Sequence, residues 1–237
     1  METEPLSSRI TEVRELKWGP EQREPFFYAG QGAHPRYRGQ MLLDPRPCYP
    51  HDRGLVEQLM AEAEKAFPLR RAPLVYLPHY DAHLSTRNAA TFQQNLYEEP
   101  QDQHNRTQTR SLIILYGKGT PIHPAMTRYL VAHEYGHAVA EGLAYAWANN
   151  HDPRDTFMRH YAELRGMTEV PDYYGCTNWH LHPEEIFAND FRILVTGREV
   201  EFWPHPTVPR PEEVPALLKW WPARVREAQA REKHFQD

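Results

Sequence analysis

The order of elements along the sequence predicts an α+β fold. Three short apolar runs typical of strands lie at 72–78, 89–97 and 111–117. The longest helical patterns follow them, from residue 124 onward, and no internal repeat is present. Because the strands are grouped ahead of these helices, we expect a small sheet followed by a set of helices.

Composition and charge indicate a globular protein. The chain has 237 residues, of which 40% are hydrophobic and 25% are charged, and its formal net charge is −5. These values are typical of a folded domain and, without a long lysine or arginine run, they argue against nucleic-acid binding. No apolar run approaches the roughly 18 residues of a membrane span, so we expect no membrane association.

The N-terminus and the cysteines bear on cellular location. The opening stretch "METEPLSSRITEVREL" is acidic and polar, without the basic start and apolar segment of a signal peptide. The two cysteines, Cys48 and Cys176, cannot build a disulfide framework, and we expect them to stay unpaired. A soluble cytoplasmic protein is therefore expected.

Local patterns divide the chain into three predicted regions. Residues 1–50 mix prolines and aromatics without periodicity, and 53–67 carry the apolar spacing of a helix. We therefore predict an N-terminal arm and helix over 1–70, a main domain over 71–200 and a C-terminal helical tail over 201–237 packed on it.

The predicted helices begin and end at residues typical of helix termini. The longest, over 124–149, begins at Pro124 and is apolar on nearly every face, so we expect it in the core. Two amphipathic helices, 152–166 and 182–197, each close at a glycine. The tail predicts one or two further helices, divided at Pro222.

The longest predicted helix contains the motif HEYGH. Its histidines, His133 and His137, are four positions apart and so lie about 40° from each other around the helix, where both can reach one ion. Glu134 is turned aside and can bond a water on that ion without being a ligand. Two hydrogen-bonded core histidines are the alternative, but burying these three groups without partners would be costly. The run 111–117 ahead of the helix predicts an edge strand along which an extended peptide substrate lies.

A catalytic zinc ion also needs a third protein ligand and an open position. The metzincin continuation is excluded, since Ala140 and Leu143 stand where glycine and histidine are required. A glutamate at the thermolysin-like spacing is also missing, because the first glutamate in that region is Glu163. The next suitable carboxylates are Glu184 and Glu185, at the start of an amphipathic helix.

Three stretches in the right order, "HEYGHAV", "YGCTN" (174–178) and "EIFANDFR" (185–192), resemble the catalytic domain of anthrax lethal factor and the related Pro-Pro endopeptidases. The resemblance covers roughly residues 110–197. It implies that 71–200 is a zincin-like metalloprotease domain, with a small sheet whose edge strand packs on a buried HExxH helix. It further implies a zinc-dependent metalloendopeptidase of the gluzincin type that acts on a peptide or protein substrate.

Position by position, the resemblance implies that His133, His137 and Glu185 bind Zn²⁺ and that Glu134 is the general base. Helical periodicity favours Glu184 over Glu185, because Glu184 lies nearer the apolar arc of its helix, so both stay open as the third ligand.

The catalytic tyrosine of the family corresponds to Tyr174, whose hydroxyl would face the oxyanion of the tetrahedral intermediate. Tyr173 takes this role if the register differs by one position. Packing in a core or loop is the structural alternative for either side chain.

Several nearby residues have open roles. His180 and His182 are candidates for a fourth ligand or a substrate contact, but we favour solvated loop histidines. Asn189 lies one turn after Glu185 and is a candidate for bonding a metal-bound imidazole, with capping or packing as alternatives. Cys176 as a zinc ligand is disfavoured.

Two other functions fit the same motif. The E-x-x-A-N-x-F pattern also resembles the ImmA/IrrE-type regulatory proteases, which cut repressors inside bacteria, and the missing signal peptide favours that role over a toxin's. A non-catalytic zinc-containing binding module is the alternative from a different class. Zinc without cleavage of a peptide library would favour the module.

Overall fold

Helices and strands are both present, as the sequence predicts. The computed structural model describes residues 10–11, 43–47, 49–69, 72–77, 80–82, 90–99, 108–147, 153–167, 182–197, 203–205 and 207–236. Within these ranges all six strands end before residue 116, and four of the five α-helices follow them. The predicted arm over 1–50 falls largely outside the described residues. Among the described helices, none has the length and apolar composition needed to cross a bilayer.

Of the strands that the structure describes, four form one sheet and two form another. The strands are β1 (Ile10–Thr11), β2 (Leu43–Pro47), β3 (Leu74–Tyr76), β4 (Tyr80–Ala82), β5 (Ala90–Glu99) and β6 (Gln108–Leu115). The larger sheet has the order β1-β3-β6-β5, with β5 antiparallel to β6 and the other two pairs parallel. Strands β2 and β4 pair antiparallel in the smaller sheet.

The prediction that 111–117 forms the edge strand is wrong, because β6 has a neighbour on each side. Ile113 is in register with Val75 of β3 and with Phe92 of β5. Residues 112–116 are buried without alternation, as expected of a central strand covered on both faces. Of the strands that the structure describes, β5 ends the order next to β6 and takes the edge position.

The described residues contain five α-helices: α1 (Arg53–Ala66), α2 (Pro124–Trp147), α3 (Pro153–Leu164), α4 (Pro183–Leu194) and α5 (Pro215–Gln236). The first four have bounds close to the predicted ones. Four of the five begin at proline, whose missing N–H costs nothing in the first turn. Gly166 follows α3 with φ +77° and Gly197 follows α4 with φ +63°, so each ends its helix in the left-handed conformation that glycine adopts freely.

Helix α5 continues through Pro222, so the predicted division of the tail is wrong. A proline inside a helix removes one backbone hydrogen bond. The residue before it, Trp221, is buried, and its ring centroid lies 5.0 Å from that of Phe187 and 5.8 Å from that of Phe191 in α4. Packing of α5 on α4 through these large rings favours a continuous helix despite the lost bond.

The chain divides into two compact units whose boundaries pass inside α1 and α2. One unit contains 62–70 and 135–237 and has an aromatic core formed by α3, α4 and α5. The other contains 2–61 and 71–134 and includes both sheets. The predicted boundaries at residues 70 and 200 stay predictions.

A buried histidine in the second unit makes its stability depend on pH. His51 is buried, and its Nδ1 lies 2.8 Å from the hydroxyl of Thr127 in α2. Burial lowers the pKa of His51 from 6.5 to about 4. Between these values the unfolded chain binds a proton that the folded chain does not, so stability is full above about pH 6.5 and is lost as the pH falls towards 4.

We expect the titration of His51 to lower the free energy of unfolding by about 3 kcal/mol as the pH falls over that range. Urea unfolding of the metal-free protein at pH 7 and pH 4.5 measures the loss. His51→Gln, which cannot take up the proton, should lose correspondingly less than the wild type. Equal losses in the two proteins would show that His51 is not responsible.

Candidate metal centre

Helix α2 places the HEYGH residues in the interior of the protein. All residues from 130 to 141 are buried, and the side chains of His133, Glu134 and His137 are 5%, 5% and 9% exposed. Leu130, Val131 and Val139 of the same helix are also buried. The prediction of a buried helix is therefore confirmed. Two imidazoles and a carboxylate in such surroundings require partners that compensate for lost water.

His133 and His137 come together with Glu185 of α4. Each offers one ligand atom, and these atoms lie within 4.8 Å of one another. Nε2 of His137 and Oε1 of Glu185 are 3.6 Å apart. Ligand atoms around a tetrahedral zinc ion are roughly 3.4 Å apart, given zinc–ligand distances of about 2.0–2.2 Å. In the described part of the chain this is the one group of three or more His, Cys, Asp or Glu residues compact enough to hold a metal ion.

The chemistry and exposure of these residues fit a zinc ion. Two imidazole nitrogens and one carboxylate oxygen form a ligand set found in catalytic zinc sites. The side chain of Glu185 is 22% exposed, whereas that of His137 is 9% exposed, so solvent reaches the carboxylate side of the group. A site closed only on the imidazole side leaves room for water or substrate.

Glu185, and not Glu184, belongs to this group. Both lie in the first turn of α4, directly after Pro183. Neighbouring positions of a helix point about 100° apart, so the two carboxylates cannot both face one ion. The side chain of Glu184 is buried outside the group. The choice that periodicity left open is therefore made by how α4 is placed.

Stacking orients the first histidine. The ring of Tyr129, one turn earlier in α2, lies 5.7 Å from the ring of His133 with an angle of 12° between the planes. This near-parallel contact restricts rotation of the imidazole about its side-chain bonds. The two rings meet because residues four positions apart in a helix lie on the same face.

A close approach of α2 and α4 depends on Gly136, which the sequence reasoning missed. A Cβ atom at Gly136 would lie 2.8 Å from Cα and 3.0 Å from the carbonyl oxygen of Ala188 in α4. Real Cβ atoms essentially never come within 3.0 Å of such atoms. The glycine between the two histidines thus lets α4 bring Glu185 to His137. A glycine inside an otherwise strong helical pattern was the available signal.

Gly136→Ala should destabilise the protein by about 1–3 kcal/mol, because the new methyl group meets backbone that cannot move without shifting α4. Gly142→Ala is the matched control in the same helix. A Cβ there meets only the end of the Leu69 side chain, at 3.0 Å, and alanine is the better helix former by about 1 kcal/mol. Urea unfolding compares the two. Equal stability of the two variants would contradict the close-approach role.

The remaining predicted residues fall into two groups. Four lie outside the described residues: Tyr173, Tyr174, Cys176 and His180. Two are described, and His182 is only 9% exposed, so the prediction of a solvated loop histidine is wrong for it. It is the N-cap residue of α4, and its carbonyl accepts the backbone N–H of Ile186. Because the first two residues of that helix are buried, the residue directly before them is buried too. Asn189 bonds the backbone carbonyl of Glu185 and contacts His205.

Comparisons of the whole chain with known proteins test for relatives of this site. No protein-family model, curated protein or solved structure matches the chain. The group formed by His133, His137 and Glu185 is therefore the feature that bears on function.

Proposed function

We propose that the protein is a zinc-dependent metalloendopeptidase with a zincin-like fold. The observation that carries the proposal is the convergence of His133, His137 and Glu185, with Glu134 next to the first histidine on a buried helix. The ligand spacing H-x-x-x-H with an adjacent glutamate is the arrangement used in zinc hydrolysis of peptides. The sheet that precedes this helix along the chain, with one antiparallel strand at its end, is consistent with the fold.

His133, His137 and Glu185 would hold the metal. A zinc ion bound there would supply a Lewis acid that polarises a peptide carbonyl and lowers the pKa of a nearby water molecule. These residues suit a zinc ion because they offer two imidazole nitrogens and one carboxylate oxygen, and because the carboxylate side of the group is exposed to solvent.

Glu134 would move the proton. Its carboxylate accepts a proton from the attacking water and then passes it to the nitrogen of the leaving amine. Burial within α2 keeps this carboxylate out of bulk solvent, which strengthens its electrostatic effect on the reacting groups. Tyr174 would donate a hydrogen bond to the developing oxyanion.

Strand β5 is the proposed docking edge for the substrate. It ends the order of the described sheet, with β6 on one side only. An extended peptide can add to such an edge through backbone hydrogen bonds, which recognise the main chain of many sequences. The sequence predicted this role for β6, and we assign it to the neighbouring strand β5 instead.

Zinc content and peptide cleavage together test the proposal. Purified protein should contain about one zinc ion per chain by elemental analysis. Glu185→Gln should lose most of it, whereas Glu184→Gln should keep it. A broad peptide library, read by mass spectrometry, should show cleavage that a chelator stops and added zinc restores. Protein without zinc would refute the site, and zinc without cleavage across the library would indicate a non-catalytic binding module.

A further inference from the structure

Buried polar side chains connect the first turn of α4 to a segment that follows the helix. Asn189, Arg192 and His205 are all 2% exposed or less. Polar groups at such depth persist only when they are bonded, so their pattern of contacts is informative. Asn189 lies one helical turn after the proposed ligand Glu185 and sixteen residues before His205.

The contacts of Asn189 determine which way its amide points. Its Nδ2 donates to the backbone carbonyl of Glu185 at 2.9 Å and lies 2.9 Å from Nε2 of His205. Its Oδ1 accepts from Nη2 of Arg192 at 2.9 Å. A flipped amide would place oxygen against the carbonyl oxygen of Glu185 and N–H groups against the guanidinium. The bonding pattern therefore requires Nε2 of His205 to accept, with the imidazole proton on Nδ1.

His205 is itself held by the segment around it. Its ring packs edge-on against Trp203, with ring centroids 4.8 Å apart. The indole N–H of Trp203 donates to the carbonyl of Val208 at 2.8 Å, and the N–H of Val208 donates to the carbonyl of His205 at 3.0 Å. Arg165, the residue directly after α3, donates to the carbonyl of Pro209 at 2.9 Å. These bonds close the segment into a turn and attach it to a neighbouring helix.

We propose that Asn189 and His205 are positioning residues that hold the turn of α4 from which Glu185 reaches the metal. This inference rests on the proposed function. The side chain of Glu185 is partly exposed, and the backbone of its turn sets the point from which it reaches His137. A ligand must be held within about 0.5 Å of its productive place. The bond from Asn189 ties the carbonyl of Glu185 to His205 and, through it, to the closed segment.

A matched pair of variants at His205 tests this role. In His205→Gln the side-chain amide reaches roughly the place of Nε2 and can still accept from Asn189. In His205→Asn the shorter amide reaches only the place of Nδ1, so that bond is lost. We expect zinc affinity, measured by competition with a chromophoric chelator, to fall about 10–100-fold in His205→Asn and to stay close to wild type in His205→Gln. Asn189→Ala, which removes the same bond from its other end, should behave like His205→Asn.

Unfolding of the metal-free variants separates positioning from general stability. Both substitutions at His205 remove a buried imidazole, so both should lower the unfolding midpoint. If Asn189 and His205 only support the fold, the variants will have a lower unfolding midpoint but will bind zinc as tightly as the wild type once folded. This result would overturn the positioning role without affecting the proposed function. Wild-type protein that binds no zinc would overturn the proposed function itself. If His205→Asn does not fold, Asn189→Ala decides the question in the same assay.

Discussion

Glu134→Gln is expected to lower kcat for peptide hydrolysis by about 10²–10⁴-fold while the zinc content stays near that of the wild type. Glutamine has the shape of glutamate but cannot take a proton from water. Because Glu134 is turned about 100° from His133 around the helix and does not belong to the ligand group, its replacement should leave the metal in place. The truncation Glu134→Ala should abolish hydrolysis as well.

A buried glutamate in the same helix supplies the control. Glu141 lies two turns after Glu134 and is also buried, so Glu141→Gln makes the same chemical change at similar depth. Kinetics on a responsive peptide from the library should show near-normal turnover for this control. Normal cleavage by Glu134→Gln would refute the general-base role. Loss of zinc from Glu134→Gln would instead show that Glu134 helps to hold the metal.

Asp190→Asn is expected to lower the free energy of unfolding by about 3–5 kcal/mol, the largest loss expected from a single substitution. The carboxylate of Asp190 and the guanidinium of Arg165 are both fully buried and joined by two bonds of 2.7 Å. The hydroxyl of Tyr161 donates to the same carboxylate at 2.6 Å. Burial and the charge of Asp190 raise the pKa of Tyr161 well above its usual value, so this hydroxyl stays a donor. Removing the carboxylate charge leaves the guanidinium buried without its counter-charge.

Denaturant unfolding of Asp190→Asn measures this effect. The ion pair of Arg224 with Glu227 is a control, because it has the same N–O distance of 2.7 Å but a Glu227 side chain that is 45% exposed. Glu227→Gln should cost less than about 1 kcal/mol, since solvent screens exposed charges. Replacing Arg165 and Asp190 together with apolar residues should recover much of the stability that Asp190→Asn loses. A loss below 1 kcal/mol in Asp190→Asn would show that the buried pair does not support the fold.

Local chemistry in the sequence was sufficient to predict the helices and the pair of histidines. The prolines that begin α2 to α5 and the glycines after α3 and α4 act within one turn of chain, so their effects can be read from neighbouring residues. The spacing of His133 and His137 likewise puts both on one helix face, whatever the rest of the chain does. The apolar run at 111–117 likewise indicated a strand, now seen as part of β6, although not its central position in the sheet.

The sequence by itself therefore determined most of the helices, three of the six described strands and where two of the proposed ligands lie. Only the tertiary structure decided that β6 is central, that α5 continues through Pro222 and that His182 is buried. It also brought Glu185, and not Glu184, close to His133 and His137, and brought His205 to Asn189. Each of these outcomes depends on packing between residues that are far apart in the chain. The spacing of neighbouring residues carries no information about the free energy of that packing.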